Sequence, residues 1–86
     1  MLKLKNLATV IEPMKCVSFY IYKKTENTGL CYLKTYYQES DFDAGAIADI
    51  ILESEPDKTP NEILESQVTF MPEEISGVGI VVYVNC

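Results

Sequence analysis

Apolar and polar positions recur along this chain with two different periods, and the switches between them mark out its elements. Residues 16–24, CVSFYIYKK, and 30–37, LCYLKTYY, are rich in β-branched and aromatic residues and read as strands. Between them, ENTG ends in Gly29, which suits a tight turn with glycine in the left-handed region followed by a bulge. The two strands are therefore expected to form a hairpin. With Thr25 opposite Gly29, Lys23 falls opposite Cys31, Ile21 opposite Leu33 and Phe19 opposite Thr35. One face then carries Val17, Phe19, Ile21, Cys31, Leu33 and Tyr37. The other carries Ser18, Tyr20, Tyr22, Lys24, Tyr32, Lys34 and Tyr36. A slip of one residue would set Lys34 beside Phe19 and Ile21, which is costly if its ammonium is buried.

Residues 41–54, DFDAGAIADIILES, change to a helical period. Phe42, Ala46, Ile47, Ile50 and Ile51 are expected to face the sheet, with Ser40 as N-cap and Asp43 three residues on. EPDKTP is a linker, and Thr59-Pro60-Asn61-Glu62 is a capping-box start for a short helix over 60–66. QVTFM at 67–71 alternates as a brief strand, and PEEISG reads as a turn. In GVGIVVYVN at 77–85, Val78, Ile80, Val82 and Val84 lie on one side and Val81 and Tyr83 on the other. A strand apolar on both sides is expected in the middle of its sheet.

The chain opens LKLKNLATV at residues 2–10, where Leu2 and Leu4 alternate with Lys3 and Lys5. This reads as a strand, with a short helix over 3–11 as the alternative, and Pro13 ends the element either way. The order β-β-β-α-α-β-β predicts an α+β fold. One longer and one short helix would pack on one face of an antiparallel sheet of about four to five strands. A single domain over 1–86 is expected.

Composition narrows the function classes. With 48% apolar and 23% charged residues the chain is built to pack a core, though a small one. No apolar run approaches the roughly 18 residues of a membrane span, and the opening residues do not read as a signal peptide, so a cytoplasmic protein with no membrane partner is expected. Cys16, Cys31 and Cys86 form no CxxC and read as reduced thiols, the first two as small apolar strand residues and the last at the surface.

The chain has no histidine, which removes Ser-His and Cys-His catalysis and most zinc sites. Asp41-Phe42-Asp43 lacks the rest of a calcium loop and is explained by helix capping. Gly77-Val78-Gly79 leads into a strand and not a helix, so it is no phosphate loop. No enzyme, cofactor or metal is expected.

Charge then separates two surfaces. The net charge of −6 divides into +4 over residues 1–35 and −10 over 36–86. Every cation is a lysine, and the lack of arginine argues against direct nucleic-acid binding. Asp41, Asp43, Asp49, Glu53, Glu55, Asp57, Glu62, Glu65, Glu73 and Glu74 supply an acidic surface, with Asp49 and Glu53 on one helix face. The leading expectation is a small non-enzymatic protein-binding module, an inhibitor or regulator of the immunity or viral kind. It would occlude a basic, nucleic-acid-binding or nuclease partner, with exposed tyrosines as anchors. The alternative is a homo-oligomer that binds a small ligand such as a nucleotide. Its site would be the face of Tyr20, Tyr22, Lys24, Tyr32, Lys34 and Tyr36.

Overall fold

Two capping side chains set where the main helices begin. The structure, a computed structural model, describes residues 2–14, 17–26, 29–71 and 79–86. Asp43 Oδ1 accepts from the backbone N–H groups of Gly45 at 2.9 Å and Ala46 at 3.3 Å, opening helix α2 at Ala44–Ser54. The cap is therefore Asp43 and not Ser40, because only Asp43 brings a carboxylate against the orphan donors of the first turn. Phe42 consequently lies outside the helix, where its ring packs on Tyr36 with centroids 4.9 Å apart. At Thr59 the expected capping box forms: Glu62 N–H donates to Thr59 Oγ1 at 3.2 Å, and Thr59 N–H to Glu62 Oε1 at 3.3 Å. Helix α3 runs Pro60–Leu64.

The N-terminal residues form no full strand. Helix α1, Leu7–Ile11, is flanked by 3₁₀ turns at Leu4–Asn6 and Glu12–Met14. Leu4, Leu7 and Ile11 recur at helical spacing and are fully or almost fully buried. Each contributes about 1.5–3 kcal/mol of burial, so three aliphatic anchors outweigh a four-residue alternation. What survives of the strand is a short edge contact. Lys3 bridges Gln67, Leu4 N–H donates to Ser66 O at 2.9 Å, and Val68 N–H to Leu2 O at 3.0 Å.

Four strands form one sheet: β1 Ser18–Thr25, β2 Gly29–Tyr36, β3 Gln67–Met71 and β4 Gly79–Asn85. Their spatial order is β2-β1-β4-β3, which places doubly apolar β4 inside the sheet. The fold is α+β, but the sheet is mixed: β1 pairs antiparallel with β2 and β4 with β3, while β1 and β4 run parallel. The helices bridge from β2 at one edge to β3 at the other, and that crossover sets the central pair parallel. Phe19, Ile21, Tyr36, Val68, Val82 and Val84 share one core with Leu4, Leu7, Ile11, Ile47, Ile51 and Ile63, so the helices lie on one face.

The hairpin register is as expected at the Gly29 end and shifts further along. Thr25 faces Gly29, whose φ is 71°, and Lys23 faces Cys31. Between Ile21 and Tyr22 the pairing slips, leaving Leu33 as an extra residue, so Ile21 faces Lys34 and Phe19 faces Tyr36. Tyr36 thereby enters the core at 5% exposure. A large ring against Phe19 and Phe42 buries more apolar area there than Thr35 would. Lys34 comes to the helix-bearing side at no burial cost, because β2 is an edge strand and Lys34 stays exposed. Its Nζ sits 5.1 Å from the Tyr36 ring centre. The expected turn residues Asn27 and Thr28, the segment 72–78, and Cys16 lie outside the described residues.

Lys23 is the unusual member of the core, 5% exposed. Its ammonium donates to Ser54 Oγ at 2.8 Å and lies 3.5 Å from Glu55 Oε1. Both partners sit at the C-terminal end of α2, where the helix dipole favours a cation. The buried lysine thus joins the middle of the sheet to the helix layer.

Candidate functional site: the tyrosine face of the sheet

The face away from the helices is assembled by strand register. Tyr32 on β2, Tyr22 on β1, Tyr83 on β4 and Thr69 on β3 are mutual partners, forming one row across the whole sheet. The rings interlock edge to face: Tyr22 lies 5.5 Å from Tyr32 at 71° and 6.2 Å from Tyr83 at 76°. Each such contact adds about 0.5–1.5 kcal/mol beyond area burial and holds the rings in fixed orientation. Thr35, Tyr20 and Val81 make the row above, and Leu30, Lys24, Asn85 and Gln67 the row below. Among the described residues, no helical side chain joins Tyr20, Tyr22 or Tyr83 in a common cluster.

The polar atoms of this face bond largely among themselves. Tyr32 Oη and Thr35 Oγ1 are 2.5 Å apart, and Asn85 Nδ2 donates to Gln67 O and Thr69 Oγ1, each at 3.1 Å. Lys24 Nζ stands 5.7 Å from the centre of the Tyr83 ring. The surface is aromatic, with one described cation. A shallow cavity of about 300 Å³ borders it, lined by Lys24, Thr25, Glu26, Asn85 and Cys86. Burial pushes the Cys86 thiol above its ordinary pKa, so it is a poor nucleophile.

Of the six residues expected on this face, Tyr20, Tyr22, Lys24 and Tyr32 are brought together. Lys34 and Tyr36 are not: the bulge at Leu33 turns both to the helix-bearing side. Burial raises the Tyr36 pKa, and its hydroxyl donates to Asp43 O at 3.3 Å. A nucleotide site loses one of its two cations by this shift. Tyr83 is the residue that sequence reasoning left out of the site. Its side of β4 was legible from the alternation, but its place beside Tyr22 depends on the parallel pairing of distant strands.

The described acidic candidates, from Asp41 to Glu65, lie in or beside the helices, on the opposite layer. Several already have structural partners. Asp43 caps α2, Glu62 closes the capping box of α3, and Glu55 approaches Lys23. Glu65 takes Lys3 at 2.5 Å on one oxygen and Lys5 on the other. Hydrogen bonds from Lys3 and then Lys5 hold the Glu65 carboxyl down at about 2. Asp41, Asp49, Glu53 and Asp57 are exposed, whereas Glu73 and Glu74 lie outside the described residues. The outer side of the helices and the tyrosine face point in opposite directions, so a flat partner surface meets one or the other.

Among the described residues, no group of acids and cysteines could hold a metal ion, and no helix is long and apolar enough to cross a membrane. No family model, curated protein or solved structure matches the chain.

Proposed function

We propose that this protein is a non-enzymatic binding module that docks a basic protein partner on the open tyrosine face of its sheet. The observation that carries this reading is the row Tyr32–Tyr22–Tyr83, delivered by three strands and held edge to face. Rigid tyrosines lose little side-chain entropy on binding and are enriched among residues that dominate interface energies. Their π faces accept lysine and arginine side chains, as Lys24 over Tyr83 illustrates within the chain. The net charge of −6 favours a basic partner over an acidic one. The partner's anchors sit on the tyrosines, and the acids behind them supply the long-range field. Occlusion of that basic surface is the resulting activity.

The test is capture from source-cell lysate on three immobilised proteins: wild type, Tyr22→Ala/Tyr83→Ala, and Asp49→Asn/Glu53→Gln. Circular dichroism checks that each is folded. A basic protein held by wild type should be lost from the tyrosine variant, with affinity down at least about 30-fold, as for a hot-spot pair. The acid variant should retain it with slower association. Undiminished capture by the tyrosine variant would refute the assignment. A small molecule released from wild type on denaturation, with no protein, would move the face to ligand binding.

A further inference from the structure

The two edges of the sheet are treated differently. Along β3 the outer edge is met by Leu2–Leu4, through the Lys3–Gln67 bridge and two backbone hydrogen bonds. On β2 the outer edge pairs with no described residue. The large exposed apolar side chains among the described residues are Leu30, Tyr32 and Tyr37, all on β2 or next to its end. Charge singles out the same segment. Residues 29–37, GLCYLKTYY, contain no acid and one lysine in a chain of net charge −6. Two copies of so acidic a molecule repel each other over most approaches. They repel least where these edges meet.

We propose that β2 pairs antiparallel with β2 of a second copy, about a two-fold axis at Cys31. A two-fold axis perpendicular to the sheet must pass through a residue position if both copies are to keep their faces aligned. Centring on Cys31 uses only residues before the bulge at Leu33. It sets Leu30 against Tyr32 of the other copy, twice, as aliphatic–aromatic cross-strand pairs on the open face. It avoids setting Lys34 against Lys34. The tyrosine rows of the two copies then lie in one continuous sheet. Since β3's outer edge is already met by Leu2–Leu4, the pairing closes at two copies and does not propagate.

The dimer is weak. Tyr32 is 54% and Leu30 51% exposed, so each copy offers on the order of 200 Å² of side-chain surface here. Even with the backbone edge added, this falls short of the roughly 1,200 Å² total of stable interfaces. The bulge and Lys34 limit the paired length further. This inference stands on the edge and not on the partner reading, and Tyr83, two strands in from that edge, separates the two.

Cys31 is exposed and, at the two-fold, faces its own copy. Directly opposed residues of antiparallel strands have Cα atoms about 4.5–5.5 Å apart, within the range a disulfide spans. The experiment uses Cys16→Ser/Cys86→Ser, which leaves Cys31 alone, with copper–phenanthroline as oxidant. The oxidant takes two electrons and the two thiols lose two protons as one S–S bond forms. A covalent dimer should form faster when folded than in denaturant. Sedimentation up to millimolar protein should show a monomer–dimer equilibrium that Leu30→Glu shifts to monomer and Tyr83→Ala leaves unchanged. A monomer throughout, or cross-linking no faster than in denaturant, would overturn the proposal. So would a dimer that survives Leu30→Glu.

Discussion

Replacing Lys23 by methionine tests whether the buried ammonium stabilises the fold or only connects it. Lys23 is 5% exposed, so its stem is packed as core and its charge has left water. Truncation to alanine removes three methylenes of buried stem, about 2–3 kcal/mol at 0.8 kcal/mol each, before any cavity cost. Methionine keeps most of that apolar volume and removes the charge. The loss is then one charge-assisted hydrogen bond to Ser54, about 1.5–3 kcal/mol. Against it stands the desolvation of the ammonium, several kcal/mol, which methionine no longer incurs. Ser54 keeps its own bond to Ile51 O at 3.1 Å. The Glu55 side chain is 30% exposed, so water can solvate it once the lysine is gone. Lys23→Met should therefore lie within about 1 kcal/mol of wild type or above it, while Lys23→Ala loses about 2–3 kcal/mol or more. Urea unfolding followed by circular dichroism measures both, with an unchanged m-value as the check that the denatured state is the same. If methionine costs as much as alanine, the ion pair is net stabilising and the reasoning fails.

Two further predictions rest on single residues. Glu65 is held at about 2 against an ordinary 4.5, so its favourable contacts with Lys3 and Lys5 are present above pH 4.5 and fade as pH falls toward 2. Side-chain NMR titration should place its midpoint well below that of an unpaired glutamate, and Lys3→Ala/Lys5→Ala should restore it; a midpoint near 4.5 in the parent would contradict the pairing. Glu39 has φ 64° in the left-handed region, where a side chain costs about 1–2 kcal/mol. Glycine removes that strain and adds about 0.5–1 kcal/mol of unfolded-state entropy. A small gain in melting temperature is thus expected for Glu39→Gly, and a loss would show that the backbone there is not strained.

What the sequence made legible follows the range of the cause. The capping box at Thr59, the left-handed glycine at 29 and the doubly apolar β4 are signals contained within a few residues, and each appears where the pattern puts it. The misread elements depend on distant partners. Residues 2–5 alternate like a strand, but Leu4, Leu7 and Ile11 find a helical stripe once α2 and α3 are there to receive it. Nothing local says that β1 and β4 run parallel, since hairpin signals describe only antiparallel neighbours. The bulge at Leu33 is the costliest omission for the site. One extra residue carries Tyr36 into the core and Lys34 to the other face, while Tyr83 arrives from the far end of the chain.

That one bulge also separates the two physical tasks that a uniform hairpin would have mixed. With Lys34 turned away, this face keeps Lys24 as its described cation, and on it Tyr32 is exposed while Tyr20, Tyr22 and Tyr83 are half-buried. The described acids of α2, α3 and the residues beside them stand on the helix layer of a molecule 23 Å across its shorter extents. The Debye length near physiological ionic strength is about 8 Å, so those carboxylates act on an approaching partner mainly at low salt. They can raise the rate of encounter, but they do not touch the docked partner through the sheet. Salt should therefore slow association and leave dissociation nearly unchanged, whereas removing Tyr22 or Tyr83 should do the reverse. A dissociation rate that rises steeply with salt would mean the partner sits on the helices after all, and the tyrosine face would lose its role.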